Sequence, residues 1–135
     1  MNCLVTGGTG FVGTNLIKRL LKDGHKVMSF DNYSTGFKHN EQDGCEYLDV
    51  DISNGFKGDE VFDKNQNAWI NIEKPDVIFH MAALARIQPS IKNPLSTIKN
   101  NFDSTLNVLE YARKNNIQVI YAGSSSKHHG LYGSP

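Results

Sequence analysis

Thr6-Gly7-Gly8-Thr9-Gly10-Phe11-Val12-Gly13 decides the fold of this 135-residue chain. Glycines stand at 7, 10 and 13, directly behind a short apolar run at residues 3–6 and directly ahead of a stretch with helical spacing. A phosphate group approaches backbone N–H groups closely only where no side chain intervenes, and a helix N-terminus offers free donors and the positive end of a dipole. Gly7 suits the tight turn, Gly10 the close approach of a pyrophosphate, and Gly13 the packing of helix on strand. Asp31 lies at the end of the next apolar run, where a carboxylate accepts hydrogen bonds from adenosine ribose hydroxyls. Its charge repels a 2′-phosphate, so the pair of features predicts a dinucleotide site that takes NAD in preference to NADP.

Outward from this loop, short β-type runs alternate with helix-type stretches. Strands are expected at residues 3–6, 26–30, 46–50, 77–81 and 117–122. A helix is expected over residues 11–23, with Val12, Leu16, Ile17, Leu20 and Leu21 on its apolar face and Gly24 as the left-handed residue that closes it. A second helix is expected over residues 94–115. Pro94 suits its first turn, and Ile98, Phe102, Leu106, Leu109 and Ala112 form the expected buried stripe. Residues 31–44 read as a loop or short irregular helix. Residues 54–74 are the least legible: Val61, Phe62, Trp69, Ile70 and Ile72 fit one or two helical faces, interrupted by Gly55 and Gly58. The strands look buried on both faces, so the expectation is one α/β domain over residues 1–135. Its expected form is a Rossmann-type, doubly wound parallel sheet of order 3-2-1-4-5, incomplete on its C-terminal side, where the apolar run Val119-Ile120-Tyr121 forms an open edge.

Composition excludes several functions. Fourteen basic residues balance fourteen acidic ones, which gives no electrostatic reason to expect a nucleic-acid or membrane partner. No apolar run is long enough to span a bilayer, and the N-terminus lacks the pattern of a secretory signal, so the protein reads as soluble and cytoplasmic. Cys3 and Cys45 read as buried reduced thiols, and metal-ligand spacing is lacking, including at the adjacent His128-His129. His80, on an apolar strand, reads as a hydrogen-bonded core histidine rather than a catalytic base.

The glycine segment and Asp31-Asn32-Tyr33-Ser34-Thr35-Gly36 resemble the extended short-chain dehydrogenase/reductase family, and within it the NAD-dependent sugar-nucleotide epimerases and dehydratases. The likeness continues in order along nearly the whole chain. Asp51-Ile52 resembles the family's Asp-Ile after strand three, where a carboxylate meets the adenine amino group. His80-Met81-Ala82-Ala83-Leu84-Ala85 resembles its H-x-A-A turn beside the cofactor. Asn101-Phe102-Asp103-Ser104-Thr105-Leu106-Asn107 resembles N-x-x-G-T-x-N, with Ser104 in place of glycine, and Ser124-Ser125-Ser126 follows strand five, where the family keeps a catalytic hydroxyl.

The resemblance implies an NAD site that includes Gly7, Gly10, Phe11, Val12, Gly13, Asp31, Asn32, Ser34, Thr35, Gly36, Asp51, Ile52, Met81, Ala82, Ala83, Ala85, Asn101 and Ser124. Counting back from Gly130 on the family's S-x-x-V-Y-G pattern makes Ser125 the catalytic hydroxyl. It implies a nucleotide-sugar substrate, transient hydride transfer and a homodimer. Lys127-His128-His129-Gly130 departs from x-V-Y-G, and no Tyr-x-x-x-Lys occurs in the chain. The expectation is therefore the cofactor-binding N-terminal part of a longer enzyme, inactive alone. The alternatives are a non-catalytic NAD-binding module, which predicts a real stop after Pro135 and a folded, NAD-binding 135-residue species, and an NAD(P)-dependent reductase or dehydrogenase of the same family, recognised by net consumption of cofactor.

Overall fold

The computed structural model describes residues 1–84 and 87–123. Five parallel strands form the central sheet: β1 (Asn2–Thr6), β2 (Lys26–Asp31), β3 (Cys45–Asp49), β6 (Val77–His80) and β7 (Gln118–Tyr121). Their spatial order is β3-β2-β1-β6-β7, with Cys3 beside Val27 on one flank and beside Val77 on the other. Counting only the parallel strands, this is the expected 3-2-1-4-5. The chain winds outward from β1 in both directions, so a crevice opens at the C-terminal ends of β1 and β6, where such sheets bind ligands.

Helix α1 (Phe11–Lys22) covers one face, packing Ile17 and Leu20 on Cys3, Val5, Val27 and Val77. Gly24 closes it at φ +84°, with its N–H on the Leu21 carbonyl. Val12, expected on the apolar face, is exposed, because the first turn overhangs the crevice rather than the sheet. Leu4, Phe30, Leu48 and Ile78 line the other face. Residues 31–44 contain one 3-10 turn, Lys38–Asn40. Both cysteines are free: Cys3 is buried, Cys45 is partly buried, and loss of hydration pushes the Cys45 thiol up to about 12. No helix among the described residues is long and apolar enough to cross a membrane.

Two further expectations are corrected. Residues 54–74 hold no helical face. Instead β4 (Glu60–Asp63) pairs antiparallel with β5 (Ala68–Asn71), in register Val61 with Ile70 and Phe62 with Trp69. The hairpin buries Val61 against the sheet, and Ile72 follows it into the same core. Asp63 fixes the turn: its carboxylate accepts the Asp49 N–H at 2.8 Å and the Gln66 N–H at 3.1 Å.

The stretch 94–115 is helical, but it runs as α3 (Pro94–Ile98), a π-helical turn (Lys99–Asp103) and α4 (Ser104–Asn115), preceded by the short α2 (Ile87–Lys92). Its buried face carries Ser104, Val108, Tyr111 and Ala112. Ile98, Phe102, Leu106 and Leu109, expected inside, are exposed; only Ala112 of that stripe is buried. Residues three and four apart share a helix face, but that spacing does not say which face meets the sheet.

Candidate functional site

The crevice is built first by the glycine loop. Gly7 turns at φ +72°, and a Cβ there would stand 2.9 Å from the Ala82 backbone. A Cβ on Gly13 would stand 2.1 Å from the Gly7 carbonyl oxygen, so only glycine lets the first turn of α1 close onto β1. Gly10 differs. The nearest protein atom to its Cβ position lies at 3.4 Å, and the residue lines the cleft. Protein packing does not require glycine at 10, and the space a Cβ would take there belongs to the cleft. Gly10 caps α1 without a side-chain bond, and no acid occupies the first turn, so the positive end of the helix dipole faces the cleft.

Asp31 ends β2 beneath this loop, 8% exposed. One carboxylate oxygen accepts the Thr9 N–H at 2.9 Å and the other accepts the Tyr33 N–H at 2.8 Å. The acid therefore ties the glycine loop to the segment after β2 while its remaining lone pairs stay available. Asn32 accepts the Ser34 N–H at 3.0 Å. Gly36 abuts Thr9, whose hydroxyl would lie 1.9 Å from a Cβ at 36. Tyr33 holds φ +55° and donates to Glu41 at 2.6 Å; burial and that carboxylate raise its pKa.

A second set of bonds fixes the turn after β6. Thr105 donates its hydroxyl to the Asn101 carbonyl at 2.7 Å, so it accepts from His80 Nε2 at 2.9 Å. His80 Nδ1 must then accept from the Thr6 hydroxyl at 2.8 Å, and Thr6 in turn accepts the Ala82 N–H at 3.1 Å. The ring is neutral, Nε2-protonated and 2% exposed, and burial holds its pKa down. His80 is the hydrogen-bonded core histidine expected from the sequence. Asn101 grips Leu84 at both backbone groups, accepting its N–H at 2.7 Å and donating to its carbonyl at 3.0 Å. Asn107 donates to the carbonyls of Ile52 and Ser53 at 2.9 and 3.1 Å, tying α4 to the 3-10 turn Ile52–Asn54. Asp51 caps that turn, one oxygen accepting both the N–H and the hydroxyl of Ser53.

These elements bring Gly7, Gly10, Asp31, Asn32, Ser34, Thr35, Gly36, Asp51, Ile52, Met81, Ala82 and Ala83 to one cleft. Phe11, Val12 and Gly13 line its continuation over the first turn of α1, with Met81 and Ala83 opposite. Asn101 stands behind the cleft, its amide engaged with Leu84. Its neighbour Asn100 lines the cleft instead, and its amide nitrogen is held by the Ser96 carbonyl at 2.8 Å. Sequence reasoning passed over Asn100. The available signal was the doublet Asn100-Asn101, since consecutive helical residues face different ways. Ala85, Ser124 and Ser125 lie outside the described residues.

The parallel sheet, the glycine loop against a helix N-terminus and the acid closing β2 define a Rossmann-type dinucleotide-binding domain. A model of the NAD-dependent epimerase/dehydratase family matches residues 3–134, and the chain belongs to that family. A putative UDP-glucose 4-epimerase of Methanocaldococcus jannaschii is 33% identical over 132 residues, covering 98% of this chain and 40% of that protein. A UDP-N-acetyl-alpha-D-glucosaminuronate decarboxylase of Bacillus cytotoxicus is 35% identical over 124 residues, covering 91% and 36%. The solved structure of a Thermus thermophilus UDP-glucose 4-epimerase in complex with NAD matches with a TM-score of 0.74 at 28% identity, covering 92% of this chain and 38% of that one. The chain thus spans 36 to 40% of the length of these relatives.

Proposed function

We propose that this chain is the NAD-binding part of an enzyme that epimerises or dehydrates a nucleotide sugar through transient hydride transfer. The observation that carries the cofactor half of the reading is Gly10, whose missing side chain leaves room in the cleft rather than in the protein. The remaining residues fit the group. The amides at the start of α1 would hold the pyrophosphate, Asp31 the adenosine ribose hydroxyls, and Asp51 with Ile52 the adenine. The turn at residues 81–84, fixed by Thr6, His80 and Asn101, would floor the cleft. When bound, NAD supplies a reversible hydride acceptor for oxidation of a sugar carbon.

Ser125 is the proposed assisting hydroxyl, hydrogen-bonded to the reacting oxygen, as the family resemblance implies. These 135 residues contain no Tyr-x-x-x-Lys, and the chain alone is expected to bind cofactor without turnover. The exposed stripe Ile98, Phe102, Leu106 and Leu109 supports a homodimer through this helix, which sedimentation of the purified protein tests. Calorimetric titration with NAD+ and NADP+ tests the site: saturable binding that favours NAD+ is expected. In the complete enzyme, Ser125→Ala should cut turnover at least tenfold and leave NAD+ affinity unchanged. Unimpaired turnover sinks the assignment of Ser125, and steady accumulation of NADH during turnover sinks the transient hydride step.

A further inference from the structure

Ser104 stands where the family pattern has glycine, and the cleft gives it something to do. It is 5% exposed, on the same helix face as Val108 and Tyr111, one turn nearer the C-terminal edge of the sheet. Val108 and Tyr111 meet the core; Ser104 instead borders the cleft, alongside Val50, Asp51, Ile52 and Asn100. Serine and threonine in a helix commonly return the hydroxyl to the carbonyl one turn back, as Thr105 does to Asn101. Ser104 makes no such bond, and its hydroxyl has no protein partner among the described residues. Asp51, across the cleft, spends one carboxylate oxygen on Ser53, and its other oxygen has no protein partner there either. Both groups face the cleft, Ser104 from a buried residue and Asp51 from a partly buried one, and a polar group so placed takes water or a ligand as its partner. Val50 and Ile52 line the same cleft with aliphatic surface, which suits the faces of a flat heterocycle.

We propose that Ser104 is a specificity-determining residue that reads the purine of the bound dinucleotide. Its hydroxyl donates to a ring nitrogen of the base, while the free oxygen of Asp51 accepts from the exocyclic amino group. A glycine at 104 could make no such contact. The inference rests on the NAD-binding reading above.

The test titrates the protein and Ser104→Ala calorimetrically with NAD+ and with nicotinamide mononucleotide, which keeps the nicotinamide, its ribose and one phosphate but has no second base. Losing one net hydrogen bond lowers affinity about 3- to 10-fold. Ser104→Ala should lose that much for NAD+ and change less than about twofold for the mononucleotide. Its melting temperature without nucleotide should equal or exceed the parent's, since alanine is the better helix former. Unchanged NAD+ affinity, tighter NAD+ binding, or equal losses for both ligands would overturn the proposal. A parent protein that does not bind NAD+ would overturn the NAD reading itself, and Ser104 with it.

Discussion

Replacing Asp31 separates the two tasks that the structure assigns to its carboxylate. Within the protein it satisfies the N–H groups of Thr9 and Tyr33, at 2.9 and 2.8 Å, from a side chain that is 8% exposed. Toward the cleft it offers acceptors for ribose hydroxyls and a negative charge against a 2′-phosphate. Asp31→Ala orphans both donors. A buried donor left without a partner costs about 1–3 kcal/mol, and the Tyr33 bond is only partly buried, so about 2–4 kcal/mol of stability should go. NAD+ affinity should fall about 10- to 100-fold with the ribose bonds and the ordered loop. The repulsion of NADP+ disappears at the same time, so a parent preference of at least about tenfold should shrink to within about threefold. Asp31→Asn keeps one acceptor without the charge, and should recover part of the stability but none of the discrimination. Thermal melts without nucleotide read the first task; calorimetry with NAD+ and NADP+ at low and high salt reads the second, and the parent's preference should shrink as salt rises. A parent that binds NADP+ as well as NAD+, or an Asp31→Ala protein that melts with the parent, would refute this reasoning.

Three further substitutions have definite outcomes. Gly13→Ala places a Cβ 2.1 Å from the Gly7 carbonyl oxygen and should cost more than about 3 kcal/mol in melts, whereas Gly10→Ala, at the N-cap of α1, should cost no more than about 1 kcal/mol yet bind NAD+ at least about tenfold more weakly by calorimetry. The depressed His80 pKa means that the unfolded chain takes up a proton near pH ~6.5 while the folded ring stays neutral. Its contribution is therefore complete above that pH and lost as pH falls below it, by up to about 1.4 kcal/mol per pH unit, and His80→Gln should flatten denaturation midpoints measured between about pH 7 and 5. Asn101→Ala frees both backbone groups of Leu84, so amide exchange at Leu84 should accelerate and NAD+ should bind about 3- to 10-fold more weakly.

The parallel strands were legible because each is a compact apolar run bounded by turn residues, and their observed ends differ from the sequence reading by about one residue. The glycine spacing and Asp31 located the crevice for the same reason: few backbone solutions demand those residues there. The hairpin was illegible because its strands are four residues each, and its turn depends on Asp63 capturing the N–H of Asp49 from another strand. The helix after β6 had a readable apolar stripe that faces outward, while the inward face is partly polar where Ser104 meets the cleft. Asn101 and His80 carried motif signals, and in the structure both hold the turn at residues 81–84, a role visible only once their partners Leu84, Thr6 and Thr105 are in place.

Calorimetric titration of the purified protein with NAD+ is the decisive experiment. One saturable site per chain is expected, weakened at least about tenfold by Gly10→Ala, whose Cβ would meet no protein atom closer than 3.4 Å. Absence of saturable binding at millimolar NAD+, or equal affinity in the parent and the Gly10→Ala protein, would contradict the NAD-binding reading.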